Sequence, residues 1–392
     1  MKNNYKKNLL YFFIVLIVAS GGFFAGTIYE KTGSLGSNFI SKALKMQKVS
    51  EIIEENFYFR DKINDNKAFD NSLKGFVSNL GDPFSSYLNE EDLKAFTESV
   101  DGNYVGIGVE IAVDENNLIS VINSFEGSPA RNAGIKTADK IIKVNGETVT
   151  GDMLYEVVSK IKGKLGETVD IDILSTDGQT KNLKIVRSKV NVETVHFKKI
   201  GDDIGYIKIT SFDVDSDKEF LSKVSNFNFD TIKGVIIDLR SNSGGALNST
   251  VKIADYIMPK ANIVKIKYTN GKEESFESDE NAIDVPIVVL INQGSASAAE
   301  LLAGGLKDNN KAILLGQKSF GKGVVGQTFS VDSKSALILT IGEYFLPSGI
   351  NIHKKGLQPD ILVELNNKNK SNSLLSENED NQLQKALEIL RK

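Results

Sequence analysis

GVIIDLRSNSGG, residues 234–245, and VPIVVLINQGSASAAE, residues 285–300, have the same construction. Each opens on a short apolar run, VIID or IVVLI, that does not alternate with polar residues. A strand read this way is covered on both faces, as in a parallel or mixed sheet. Each run then meets glycine and small polar residues and passes into a helical pattern, SGGALNSTVKIADYI in one case and SASAAELLAGGLKD in the other. IGYIKI at 204–209 precedes the pair and KAILLGQ at 311–317 follows it. Strand alternating with helix predicts an α/β layer, with chemistry expected at the strand-to-helix turns.

Ser297 lies at such a turn, after IVVLIN and the Gln293-Gly294 pair. Unpaired N–H groups and the helix dipole at a helix start would stabilise an oxyanion forming there. The plainer reading is that Ser295 or Ser297 simply caps the helix, and this segment alone favours it. A serine nucleophile needs a base. The chain has no cysteine and two histidines, His196 and His353, so thiol chemistry and imidazole metal clusters are set aside and no metal or cofactor is expected. Lys322 stands between Gly321 and Gly323 in SFGKGVVG, an odd setting for a solvated lysine. As a base its pKa must fall from about 10.4 to near 7, which costs about 4 to 5 kcal/mol and requires burial. The alternative is a lysine covering a glycine-rich turn. In DLRSNSGG, Gly244 and Gly245 open onto a helix and are placed to turn an N–H toward the same point as that of Ala298. No Lys-Ser/Thr pair follows these glycines, so a phosphate loop is disfavoured. Asp238 and Arg240 read as structural anchors.

Together DLRSNSGG, NQGSASAAE and SFGKGVVGQ, in this order, resemble the carboxyl-terminal processing (tail-specific) peptidases. The likeness extends from about residue 40. LGDPFSSYL closes a helical region, YVGIGVEI begins a PDZ domain that GSPARNAGIKTADKIIKVNG continues, and KKGLQPDI precedes a final helix. The resemblance implies a Ser-Lys dyad of Ser297 and Lys322 on a crotonase-like core, with Gly244 and Ala298 as oxyanion donors. The family also places a glutamine four residues after the lysine to orient its amine. Here position 326 is Gly and Gln327 comes one later, which returns to the lysine's face only if a bulge at Gly326 absorbs a residue. Gln327 is assigned the role on that condition. The PDZ likeness implies that a protein tail adds as a strand beside VGIGVEI. Its carboxylate would be held by N–H groups around Tyr104, Val105, Gly106, Ile107 and Gly108, with a helix capped by Asp152 walling the groove.

The rest of the chain supplies context. Lys2, Lys6 and Lys7 precede an uncharged run from Leu9 to Tyr29, long enough to span a bilayer, with the amino terminus inside and the catalytic part outside the cell membrane. A cleaved signal peptide is the alternative. Met46, Val49, Ile52 and Ile53, then Phe69, Leu73, Phe76, Val77 and Leu80, follow helical spacing and are expected to face a core or, less commonly, a dimer surface. The chain is thus expected to be an α+β multidomain protein. A cytoplasmic stub and transmembrane anchor would occupy 1–29, a helical cap 30–99, a PDZ β-domain 100–190, a Ser-Lys peptidase core 191–365, and a polar segment with the final helix 366–392. A net charge of −4 without a basic patch argues against nucleic acid. The partners expected are protein substrates with accessible tails, the membrane and a second copy. Two rivals stand beside the peptidase: a silent membrane-anchored PDZ scaffold, and a hydrolase using His353 as base, although both histidines read as loop or strand surface residues.

Overall fold

The structure is a computed structural model that describes residues 40–100, 103–114, 116–125, 127–225, 227–280, 282–366 and 376–392. The apolar run 9–29 lies outside these residues. Among the described residues no helix is long and apolar enough to cross a membrane. The chain divides into two compact units, one ending at Leu73 and one beginning at Lys74.

The first unit contains α1 (40–56), a 3-10 turn at Arg60–Lys62, and the first part of α2 (Asp65–Ser78). Their apolar faces are a correction to the expected core. Met46, Val49, Ile52, Ile53 and Phe69 are exposed, as are Phe76 and Leu80 farther along, whereas Val77 is buried. Helical periodicity identifies an apolar stripe but does not say what covers it.

In the second unit the chain turns at Gly81 (φ 69°) into β1 (Ser86–Leu88) and then α3 (Glu90–Val100). Asn89 caps α3 as expected, its Oδ1 accepting the Asp92 N–H at 2.9 Å. A β-rich domain follows: β2 (Asn103–Gly106), β3 (Val109–Val113), β4 (Ile119–Ser124), the single turn α4 (Pro129–Asn132), β5 (Lys140–Val144), β6 (Glu147–Thr148), α5 (Leu154–Ile161), β7 (Thr168–Leu174), β8 (Thr180–Val186) and β9 (Ser188–Asn191). β3-β4-β5-β7-β8 form one sheet with β6 on β5, while β2 and β9 pair as a separate ribbon. Val169, Ile171 and Ile173 alternate inward along β7 onto Ile107, Ile141 and Val157. α5 does not begin at an Asp152 cap. Gly151–Met153 form a 3-10 turn first, and the Asp152 carboxylate instead accepts the Asn117 side-chain amide at 3.1 Å.

The remaining chain forms β10 (Val195–Ile200), β11 (Ile204–Ile209), α6 (Ser216–Val224), β12 (Gly234–Asp238), α7 (Leu247–Ile257), β13 (Asn262–Tyr268), β14 (Glu273–Glu277), β15 (Ile287–Ile291), α8 (Ala298–Asp308), β16 (Ala312–Gly316), β17 (Val324–Ser330), β18 (Ala336–Phe345), β19 (Ile361–Leu362) and α9 (Asn381–Leu390). The central sheet runs β10-β11-β12-β15-β16-β19, parallel from β11 to β19, with β10 antiparallel at the edge. Its strands lack polar alternation because both faces are covered. Val235, Ile237, Val289 and Ile291 pack with α7 and α8, while Ile236, Val288, Leu290 and Leu315 pack against Leu383, Leu387 and Leu390 of α9. A second sheet, β1-β18-β13-β14 with β17 on β18, carries the strand that follows Lys322.

Candidate active site

Strands β12 and β15 lie side by side in parallel, so both strand-to-helix turns open at the same end of the sheet. Backbone and side-chain bonds then stitch three loops together. The Ser241 N–H donates to Asn292 Oδ1 at 2.8 Å, the Ala296 N–H to the Asn242 carbonyl at 2.9 Å, and the Phe320 N–H to the Ser295 carbonyl at 3.0 Å. The Ser295 hydroxyl donates to the Leu239 carbonyl at 2.8 Å. All three sequence motifs therefore converge although 84 positions separate Asp238 from Lys322.

Ser297 occupies φ 54°, ψ −120°, a conformation that costs a non-glycine residue about 1 to 3 kcal/mol. Ser297 is the N-cap of α8 and forms a capping box with Glu300, as the capping reading holds, but an N-cap ordinarily adopts the extended region and capping does not account for the strained backbone. The strain has a structural counterweight in Glu300, one turn along α8 and fully buried. Its Oε2 accepts the Ser297 N–H and the Lys322 N–H, each at 2.9 Å, and its Oε1 accepts the Gly321 N–H at 2.7 Å together with the Ser319 hydroxyl. One carboxylate thus clamps the serine turn to the lysine loop. Sequence reasoning quoted Glu300 without giving it a role. The S-x-x-E spacing from Ser297 is a capping-box signature and was the available signal.

Lys322 is half-buried, and burial lowers the pKa of its amine while the nearby Asp82 carboxylate opposes that fall. Its Nζ lies 5.0 Å from the centroid of the Phe84 ring, which also meets the His353 imidazole edge-on at 6.0 Å. His353 is thus brought next to Phe84. His196 is on β10, where burial lowers its pKa.

Gln327 departs from its expected role. The pairing of β17 with β18 is irregular at Val325/Gly326, but Gly326 pairs Thr340 directly after Val325 pairs Gly342. The extra residue is therefore Ile341 on β18, and nothing is absorbed on β17. Gln327 is exposed and lines a separate cavity of about 440 Å³ with Tyr268, Asn270 and Ile341.

Of the two expected oxyanion donors, Ala298 opens helix α8, where N–H groups lack intrahelical acceptors. Gly244 comes so near that a Cβ there would lie 2.7 Å from Ser297 Cβ and 2.9 Å from the Ala298 nitrogen. Its N–H, however, is engaged by Asn242 Oδ1 at 2.8 Å. Gly244 is adjacent to the serine as expected, with its donor turned to a side chain.

Asp238 and Arg240 form the anchor read from sequence, extended by partners that were not foreseen. Arg240 reaches both Asp238 oxygens at 2.6 and 2.9 Å and both Asp380 oxygens at 2.7 and 3.0 Å, and Gln382 Oε1 at 2.9 Å. The Tyr206 hydroxyl donates to Asp238 at 2.7 Å. Burial alone would raise the Asp238 pKa, but the Arg240 charge holds it below the ordinary range. Asp380 caps α9, its Oδ1 accepting the Leu383 N–H at 3.0 Å, so the last helix is fastened directly to the loop beside the serine.

In the β-rich domain, sheet order leaves β3 as an edge strand. α5 runs along it. A Cβ on Gly151 would lie 2.4 Å from Val113, and beyond the helix the Gly163 N–H donates to the Val105 carbonyl at 3.3 Å. Of the expected tail-binding residues, Tyr104, Val105 and Gly106 lie on β2, while Ile107 is fully buried with its carbonyl bound by the Ala130 N–H at 2.8 Å. The Tyr104 ring covers Gly106, where a Cβ would lie 2.6 Å from it. Burial pushes its phenol up to about 12, against the opposing N–H groups of Val109 and Gly108, which are turned to the phenol oxygen.

Residues 203–363 match the model of peptidase family S41, and residues 124–175 match a PDZ domain. The carboxy-terminal processing protease CtpA of Bacillus subtilis (strain 168) is 35% identical over 338 residues, covering 86% of this chain and 71% of that protein. A probable CtpA-like serine protease of Staphylococcus aureus (strain MRSA252) is 37% identical over 342 residues, covering 86% and 68%. Among solved structures, the photosystem II D1 C-terminal processing protease aligns with a TM-score of 0.50 at 27% identity, over 75% of this chain and 81% of that one. A putative S41 protease from Bacteroides fragilis shares the fold with a TM-score of 0.58 at 16% identity, over 81% and 90%.

Proposed function

The chain belongs to peptidase family S41 as a carboxy-terminal processing serine protease, and from that premise we propose that Ser297 is its nucleophile and Lys322 its general base. Ser297 Oγ attacks the scissile carbonyl carbon as its proton passes to the Lys322 amine. The oxyanion is met by the Ala298 N–H, and by the Gly244 N–H once it turns from Asn242. Collapse breaks the C–N bond, Lys322 returns its proton to the leaving amine, and water hydrolyses the acyl-enzyme by the same proton route. The observation that carries this reading is Glu300, which accepts the backbone N–H groups of both Ser297 and Lys322 while Ser297 sits strained at the head of α8.

The substrate tail docks on the open edge of β3, walled by α5, with its carboxylate at the N–H groups of Gly108 and Val109 after the Tyr104 phenol withdraws. The run 9–29 anchors the chain in the cell membrane with the catalytic part outside, and the exposed apolar faces of α1 and α2 suit pairing with a second copy. A silent scaffold would have no use for a strained serine clamped to a half-buried lysine. The test is cleavage of an unstructured protein with a labelled apolar tail by the full chain in detergent. Wild type is expected to cut, and Ser297→Ala and Lys322→Ala to be inactive. Undiminished cleavage by either variant refutes the assignment.

A further inference from the structure

The turn Gly81–Ser85 ends α2, and the mechanism above leaves it without a role. Asp82 accepts the Phe84 N–H at 3.1 Å and the Ser85 hydroxyl at 2.6 Å. β1 then pairs with β18, and the Thr340 N–H donates to Ser85 Oγ at 3.1 Å. The turn is therefore fastened to the peptidase sheet rather than left as a loose connection. Its outcome is the placement of the Phe84 ring 5.0 Å from Lys322 Nζ. The ring also meets the His353 imidazole edge-on, and the His353 backbone N–H donates to Asn351 Oδ1 at 2.6 Å while the same backbone leaves no room for a Cβ on Gly323. The charged and titratable groups around the amine are Asp82 from this turn, His353 from the loop after β18, and Glu300 from α8, whose oxygens are taken up by the serine turn and the 319–322 loop. Lys354 donates its N–H to the Gly321 carbonyl at 2.8 Å but is exposed.

We propose that Phe84 and Asp82 are positioning residues for Lys322, doing the work that a glutamine four residues after the lysine would do. This rests on Lys322 being the base. The aromatic ring acts on both protonation states. Its bulk excludes water from the free amine, which keeps the amine available as a base. Its negative face meets the ammonium that forms as the serine proton arrives, stabilising the transition state through a cation–π contact. Asp82 limits how far the pKa of the amine falls, so that Lys322 still takes the proton.

The experiment measures kcat and KM of the full chain in detergent across neutral to alkaline pH. It compares Phe84→Leu, Phe84→Ala, Phe84→Tyr and Asp82→Asn, with melting temperature as the check of folding. Phe84→Leu keeps the apolar bulk and loses the ring face, so kcat should fall roughly 3- to 30-fold at unchanged KM, with Phe84→Tyr restoring it. Phe84→Ala also readmits water, so the acidic limb of kcat/KM should move to higher pH. Asp82→Asn preserves the turn's acceptor and removes the charge, so that limb should move about 0.5 to 1 unit to lower pH. The inference is overturned if the Phe84 variants keep wild-type kcat, if their loss lies in KM alone, or if the Asp82→Asn limb stays or rises. Lys322→Ala, run alongside, separates the two levels. Activity in that variant refutes the base itself, whereas an inactive Lys322→Ala beside unaltered Phe84 and Asp82 variants refutes only this inference.

Discussion

Glu300→Gln is the perturbation that probes the clamp most sharply. The buried carboxylate accepts four donors, two on each oxygen, and no water reaches it. Glutamine keeps one acceptor oxygen and puts an NH2 against the other two donors. If the amide oxygen takes the Gly321 and Ser319 side, the N–H groups of Ser297 and Lys322 lose their acceptor. Two charge-assisted bonds at about 1.5 to 3 kcal/mol each are then lost, for a total of about 3 to 6 kcal/mol before relaxation. Some of this appears as lower stability, and the remainder as displacement of the serine relative to the lysine. A misplacement of about 1 Å can cost about a hundredfold in rate. Cleavage kinetics together with thermal unfolding should therefore show a melting temperature lower by several degrees and a kcat lower by about a hundredfold or more, with KM little changed. A variant that remains folded and cuts at the wild-type kcat would refute the reasoning.

Four other perturbations have defined outcomes. Asp380→Ala leaves Arg240 with half of its buried compensation and α9 without its cap, and should cost about 3 to 5 kcal/mol in urea unfolding. Because Arg240 holds the Asp238 pKa below its unfolded value, the stability from that carboxylate is present above the unfolded pKa and is lost as pH falls through the folded one. An acid-unfolding titration of Arg240→Leu should accordingly lose this contribution. Gln327→Ala removes an exposed side chain from a cavity away from the amine, so kcat should stay within about twofold of wild type by the usual scale of surface substitutions. Tyr104→Phe removes the phenol oxygen from the Gly108 and Val109 N–H groups and should tighten binding of a tail peptide by up to about tenfold in fluorescence anisotropy.

The parts of the fold legible in the sequence are those written locally. Apolar runs at 235–238 and 287–291 reported strands buried on both faces, and the structure gives the reason in α7 and α8 on one side and α9 on the other. Ser297 and Lys322 stood out because each breaks a pattern, one at a turn before a helix and one between glycines. Glu300 was visible as half of a capping box, and it does accept the Ser297 N–H, yet its other partners lie on a loop some twenty residues on. Phe84 carries no local sign at all, since its contact with Lys322 depends on β1 pairing with β18 across most of the chain. Gln327 misled because an irregular ladder can place its extra residue on either strand, and here the partner strand holds it. The apolar stripes of α1 and α2 fixed the helices, but periodicity carries no information about what lies opposite.

The central assignment is tested most directly by labelling the full chain at neutral pH with a fluorophosphonate, which modifies only an activated serine, and mapping the adduct by peptide mass spectrometry. The expected result is a single adduct on Ser297 that disappears in Lys322→Ala. Cleavage activity without an adduct on Ser297, or an adduct unaffected by loss of Lys322, would contradict it.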